Sequence, residues 1–188
     1  MIYQDDRTKL TFILSTGAGV YSDFNPWFGQ AELFNQFSPV AGKLPGDGTT
    51  WTEAYVELGL GGVTRVAESN FYVYGAASGL FSMSRGQDIF SDDARNKLHP
   101  DKGYIGLLYA DRATGNTAQF SLGRQTYTLN TGFLISMVSG NSNAGERGAS
   151  YLGPRNTTDF SALVNGEVGR LRYAMFYIDP DELEDIES

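Results

Sequence analysis

Polar and apolar residues alternate with a period of two through most of this chain, the mark of β-strands with two unlike faces. From Lys9 to Tyr21, Leu10, Phe12, Leu14, Ala18 and Val20 fall on one face, and Lys9, Thr11, Ser15, Gly17 and Gly19 on the other. From Trp51 to Leu60 the alternation is strict: Thr52, Ala54, Val56, Leu58 and Leu60 oppose Trp51, Glu53, Tyr55, Glu57 and Gly59. Between Asn70 and Ser84, Phe71, Val73, Ala77, Phe81 and Met83 oppose Tyr72, Tyr74, Ser78 and Ser82. That stretch exceeds the roughly five or six residues usual in a globular strand and suits a membrane strand of roughly 9 to 11 residues plus its headgroup ends. With Gly103–Asp111, Thr117–Gln125, Thr158–Val168 and Arg170–Asp179, the pattern predicts about seven strands.

The connections alternate in length. A long segment, 22–50, carries Pro26, Pro39, Pro45 and Asp47-Gly48, which forbid a continuous strand or helix and leave room for a short helix at Gln30–Asn35. A short link through Gly61-Gly62 follows, then a charged loop over 85–102 with Asp92, Asp93 and His99. Arg112–Asn116 has the size and chemistry of a hairpin turn, 127–157 is a long Gly- and Asn-rich loop, and 167–170 is again tight. Consecutive strands then pair antiparallel, giving an all-β, up-and-down fold in a single domain over 1–188. Loops long at one end and short at the other are the habit of transmembrane β-barrels. Periodicity alone does not say whether the polar face meets solvent outside a soluble sandwich or lines a lumen.

Composition narrows the classes. The absence of cysteine excludes a disulfide scaffold and a thiolate metal site. The net charge is −8, but Asp179–Ser188 alone carries six carboxylates, so the remainder is close to −2. With no basic cluster, nucleic acid is excluded as a partner. The longest uncharged run, Gln125–Gly145, is broken throughout by Asn, Ser, Thr and Gly, so no membrane helix is expected. Met1–Arg7 lacks a basic flank followed by an apolar segment, so any export signal is expected to be absent from this chain.

Catalysis has little to build on. His99 is the sole histidine and stands beside Pro100 in the charged loop, where a solvated side chain is the plainer reading. No G-x-S-x-G surrounds any serine, and metal-ligand spacing is absent. Glu53 and Glu57, four apart on one strand face, are about 13 Å from each other, too far for a glycosidase pair, and read as lumen or solvent charges. The acidic tail lacks the spacing of a calcium loop. Neither an enzyme nor a cofactor is expected.

The segment Phe120-Ser121-Leu122-Gly123-Arg124-Gln125, a strand end running straight into the long Gly-rich loop, resembles the outer-membrane porins of Gram-negative bacteria. There a Gly-Arg-Gln or Gly-Arg-Asn step precedes an inward-folded third loop that narrows the pore; the step is similar to alginate-export-type barrels as well. The resemblance implies the N-terminal half of a barrel of about 14 to 18 strands. It further implies Arg124 at the pore wall, Leu129–Pro154 as the constriction loop, and Glu146, Arg147 and Arg155 in or near the narrows. Glu53, Glu57 and Arg172 would line the lumen of a channel passing small hydrophilic solutes or ions by diffusion. Its partners would be outer-membrane lipid and lipopolysaccharide, and a second chain or further subunits completing the wall. Strict alternation puts Arg124 on the apolar face, so a pore-wall role needs a bulge; otherwise it snorkels at the rim. The first and last strands are expected not to pair with each other, and Tyr21, Trp51, Phe71, Tyr104 and Tyr177 to gather in interfacial girdles. The rival expectation is a soluble or cell-surface β-sandwich or lipocalin-like module that binds a ligand in its long loops.

Overall fold

Each alternating stretch forms a strand in the computed structural model, which describes residues 1–37, 45, 48–89, 94–129, 131–132 and 148–179. Glu146, Arg147, most of the expected constriction loop and the acidic tail from 180 onward lie outside the described residues. Strands β1 (Tyr3–Gln4), β2 (Thr8–Asp23), β3 (Thr49–Arg65), β4 (Phe71–Gly86), β5 (Arg95–Ala110), β6 (Thr117–Arg124), β7 (Phe160–Val168) and β8 (Leu171–Asp179) form one sheet in chain order. Every neighbouring pair is antiparallel. The fold is therefore all-β and up-and-down, and the sheet is not closed into a barrel. A short helix, α1 (Ala31–Phe37), follows β2.

The strand count rises from the expected seven to eight, because Tyr3–Gln4 pairs with Lys9 and Leu10 across a turn that the Asp5 carboxylate caps. β8 pairs only with β7, and apart from the β1 stub the outer edge of β2 has no strand partner among the described residues.

The larger correction concerns the segment 85–102. It is not a charged loop, since β5 begins at Arg95 and pairs Arg95–Pro100 with Gly79–Ser84. A β-bulge between Ala77 and Gly79 lets the strand run through Pro100, where a ladder donor is missing. His99 is consequently a buried strand residue opposite Leu80, with Nδ1 2.9 Å from the Pro100 carbonyl, and not a solvated one.

Burial across the sheet is inverted relative to a soluble protein. Leu14, Val20, Leu58, Leu60, Leu98 and Ile105 each have more than half of their surface exposed. The opposite face buries Glu53, Glu57, Ser82, Ser84, Asp101 and Ser121 almost completely. Strand register makes this consistent: Leu14 pairs with Leu58 and Leu107 with Phe120 on the apolar face, while Glu53 pairs with Ser84 on the polar one.

The two ends of the sheet differ. The strand ends that lead into 24–48, 87–94 and 125–159 lie at one end, and the connections 5–7, 66–70, 111–116 and 169–170 at the other. In the tight turn after β5, Asp111 accepts from Thr114 Oγ1 at 2.7 Å and from the Ala113 N–H at 2.9 Å. The Thr114 hydroxyl first, then the backbone donor, holds this carboxyl below the usual carboxylate range. On the apolar face Phe71 packs on Tyr109 near the short turns and Phe160 on Tyr177 near the long loops. Tyr21, Trp51 and Tyr104 do not join such girdles. Strand parity puts them on the polar face, where Tyr21 stacks on Trp51 and Tyr104 meets Tyr74.

Candidate functional site

The chemistry of this chain is concentrated on the polar inward face, in two clusters held by β3, β4 and β5. In the first, Glu53 projects from β3 and is 2% exposed. Its Oε2 accepts from the backbone N–H groups of Tyr151 at 2.9 Å and Leu152 at 3.0 Å, and Oε1 lies 3.4 Å from Ser84 Oγ. Ser84 Oγ accepts in turn from the Ala149 N–H at 3.0 Å. Two strand residues thus collect three backbone donors from one irregular segment, which satisfies groups that burial would otherwise penalise. Gly148 lies so close to the backbone of Met83 and Ser84 that an added Cβ would stand 2.3 Å from a main-chain carbon. The described end of the long loop therefore lies flat against the inward face.

Aromatic packing reinforces this latch. Tyr151 meets Trp51 at 4.8 Å and Tyr21 at 5.5 Å between ring centroids. Burial of the ring, and next the negative charge of Glu53, push the Tyr151 phenol up to about 12. A raised phenol favours the neutral, docked form, so docking is at full strength below the ordinary tyrosine range near 10 and weakens as pH rises towards 12. Trp51 fluorescence is expected to change over that interval as the loop leaves the wall. Tyr151→Phe should remove this component while the other tyrosines still titrate; an unchanged profile in the variant would detach the transition from Tyr151.

The second cluster surrounds Lys102 of β5. Its Nζ donates to Glu57 Oε1 at 2.6 Å and to Asp101 Oδ2 at 3.1 Å. Glu57 also accepts from Ser78 Oγ at 2.7 Å, and Asp101 Oδ1 from Thr157 Oγ1 at 3.3 Å. The bulge makes this trio possible, because it turns both Asp101 and Lys102 towards the polar face opposite Ser78, whose Oγ accepts the Lys102 N–H at 3.0 Å. Glu57 and Asp101 are 6% and 1% exposed, so their charges depend on this one ammonium.

The remaining residues singled out from the sequence scatter along the same sheet. Arg155 is buried beside the second cluster's Thr157 in sequence. Arg172 sits at the short-turn end, exposed, with Nε 3.0 Å from Glu167 Oε2. Arg124 stays in register opposite Gly103 on the outward parity; no bulge turns it inward. Its guanidinium donates to the carbonyls of Pro100 at 3.1 Å and Thr158 at 3.4 Å and pairs with Asp159, which ties it to β5 beside the bulge and to the approach to β7.

Sequence reasoning missed Lys102 and Asp101, assigned to a loop, and the pairing of buried Asp88 with Arg95. The available signal was the serine ladder Ser78, Ser82 and Ser84, which marks the inward face of β4 and points to the partner strand that must satisfy it. Among the described residues no group of three or more His, Asp or Glu is placed to hold a metal ion, and no helix is long and apolar enough to cross a membrane. No protein-family model, curated protein or solved structure matches the chain.

Proposed function

We propose that this sheet is part of the wall of a transmembrane β-barrel in a Gram-negative outer membrane, a channel through which small hydrophilic solutes or ions diffuse passively. The inverted burial carries this reading. Leaving a Leu, Val or Phe side chain wholly in water forfeits about 1.5–3 kcal/mol, and this face leaves such residues largely exposed on β2 to β8. Hydrocarbon covers them without any further protein, whereas a lumen accommodates the polar face.

Three hollows on the polar side support a path. One near Glu167 and Arg172 shares Gln119 and Asn165 with a second, and that one shares Tyr74, Lys102 and Tyr104 with a third. The segment latched by Glu53 supplies the narrowing, with Arg155 and the Glu57–Lys102–Asp101 trio on the wall beside it. Arg124 acts at the rim. Because β2 and β8 run in the same direction, they cannot close on each other antiparallel; further strands, from more of the polypeptide or another subunit, complete the wall. The lipids and lipopolysaccharide of that membrane are the partners of the apolar face.

Placing a charge on that face discriminates. Leu58→Arg is expected to cost about 2–4 kcal/mol of folding stability in lipid bilayers if Leu58 meets the hydrocarbon near its midplane. Urea titration of the protein in vesicles reads this, and planar bilayers read the conductance. A monomer soluble in plain buffer, with Leu58→Arg neutral, sinks the channel and favours a binding module whose apolar face is covered by protein.

A further inference from the structure

We propose that the central hollow of the inward face is a binding subsite for a neutral polyhydroxylated solute, a mono- or oligosaccharide or a polyol. The inference rests on the channel reading for its role and on local geometry for its chemistry. The hollow holds about 430 Å³, within the roughly 300–1,000 Å³ of small-molecule sites. Tyr74, Tyr104 and Tyr127 line it together with Gln119, Gln125 and Asn165. A ring carrying hydroxyls on an apolar C–H face is matched by this pairing of flat aromatic bodies with groups that both donate and accept.

Two observations sharpen the choice. Gln125 is 7% exposed; its Oε1 accepts from Ser121 Oγ at 2.9 Å, while its Nε2 is buried with no hydrogen-bond partner among the described residues. An amide donor held in place and unspent just behind the wall of a hollow is a group that an acceptor oxygen reaching in would satisfy. Secondly, among the described residues Lys102 is the one charged residue lining the hollow, and Glu57 and Asp101 both pair with it. The local sum of that trio is one negative charge, which disfavours anions, and among the described residues no carboxylate lines the hollow to hold a cation directly. Gly106 serves the arrangement directly: Tyr74 lies over it so closely that an added Cβ would meet the ring at 2.4 Å.

Isothermal calorimetry of the full chain in detergent micelles, with maltose as probe, tests the site without relying on conduction. Saturable binding of maltose is expected, with glucuronate much weaker. Gln125→Ala and Gln119→Ala should each weaken maltose binding about fivefold or more. If Gln125→Ala fails to fold, as judged by loss of heat-modifiable gel mobility, Gln119→Ala decides, since its side chain is only partly buried. No saturable heat, glucuronate bound as tightly as maltose, or wild-type affinity in the folded variants overturns the subsite. Conductance in bilayers without maltose binding refutes the subsite alone. Maltose binding without conductance keeps the subsite and refutes the channel.

Discussion

Replacing Lys102 with Met is expected to destabilise the folded sheet by about 3–5 kcal/mol. The ammonium is the shared partner of Glu57 and Asp101, which are 6% and 1% exposed. Removing it leaves two carboxylates desolvated and facing each other, and each must protonate, hydrate or break away from the wall. Urea unfolding in vesicles, followed by Trp fluorescence, measures the loss. Lys102→Met combined with Glu57→Gln should recover part of it, because one of the stranded charges is gone; strict additivity of the two changes would show that the pair is not coupled. The same variant has an electrical consequence under the channel reading. With two carboxylates uncovered at the lumen wall, the reversal potential under a salt gradient should move towards cation preference.

Glu53→Ala should release the latched segment at a cost of about 3–5 kcal/mol, since two backbone donors lose a charged acceptor and each such bond contributes about 1.5–3 kcal/mol. The effect is local in kind. Tyr151 and Leu152 would no longer be held to β3, while the Ala149 N–H bond to Ser84 and the strand ladder stay intact. Protease cleavage within 148–158 should accelerate sharply, and conductance should rise if this segment narrows the pore. Glu53→Gln keeps an acceptor oxygen and should fall between the two. A wild-type cleavage rate in Glu53→Ala would mean that the Ser84–Ala149 bond and the aromatic contacts of Tyr151 with Trp51 and Tyr21 hold the segment without Glu53.

Much of the fold was legible because strand periodicity is local. Leu10, Phe12 and Leu14 must share a face whatever the rest of the chain does, and Gly115 at φ +75° and Gly169 at φ +61° supply the left-handed positions that tight turns need. His99, Asp101 and Lys102 were misread because Pro100 is ordinarily a strand breaker and a bulge leaves no mark in composition. Glu53 and Glu57 were legible as a shared face and nothing more. The partners that satisfy Glu53 are 98 and 99 positions away, in a segment without periodicity.

By itself, the sequence determined that the chain makes antiparallel strands with one apolar and one polar face, joined by short turns at one end and long loops at the other. Only the tertiary structure decided which face turns inward, that the sheet stays open at β2 and β8, and that Lys102 stands between Glu57 and Asp101. The reason is physical. Alternation is set by each strand's own pleat, but the direction a sheet curves, the register across a bulge and the sharing of a buried charge arise only when strands distant in sequence are brought side by side.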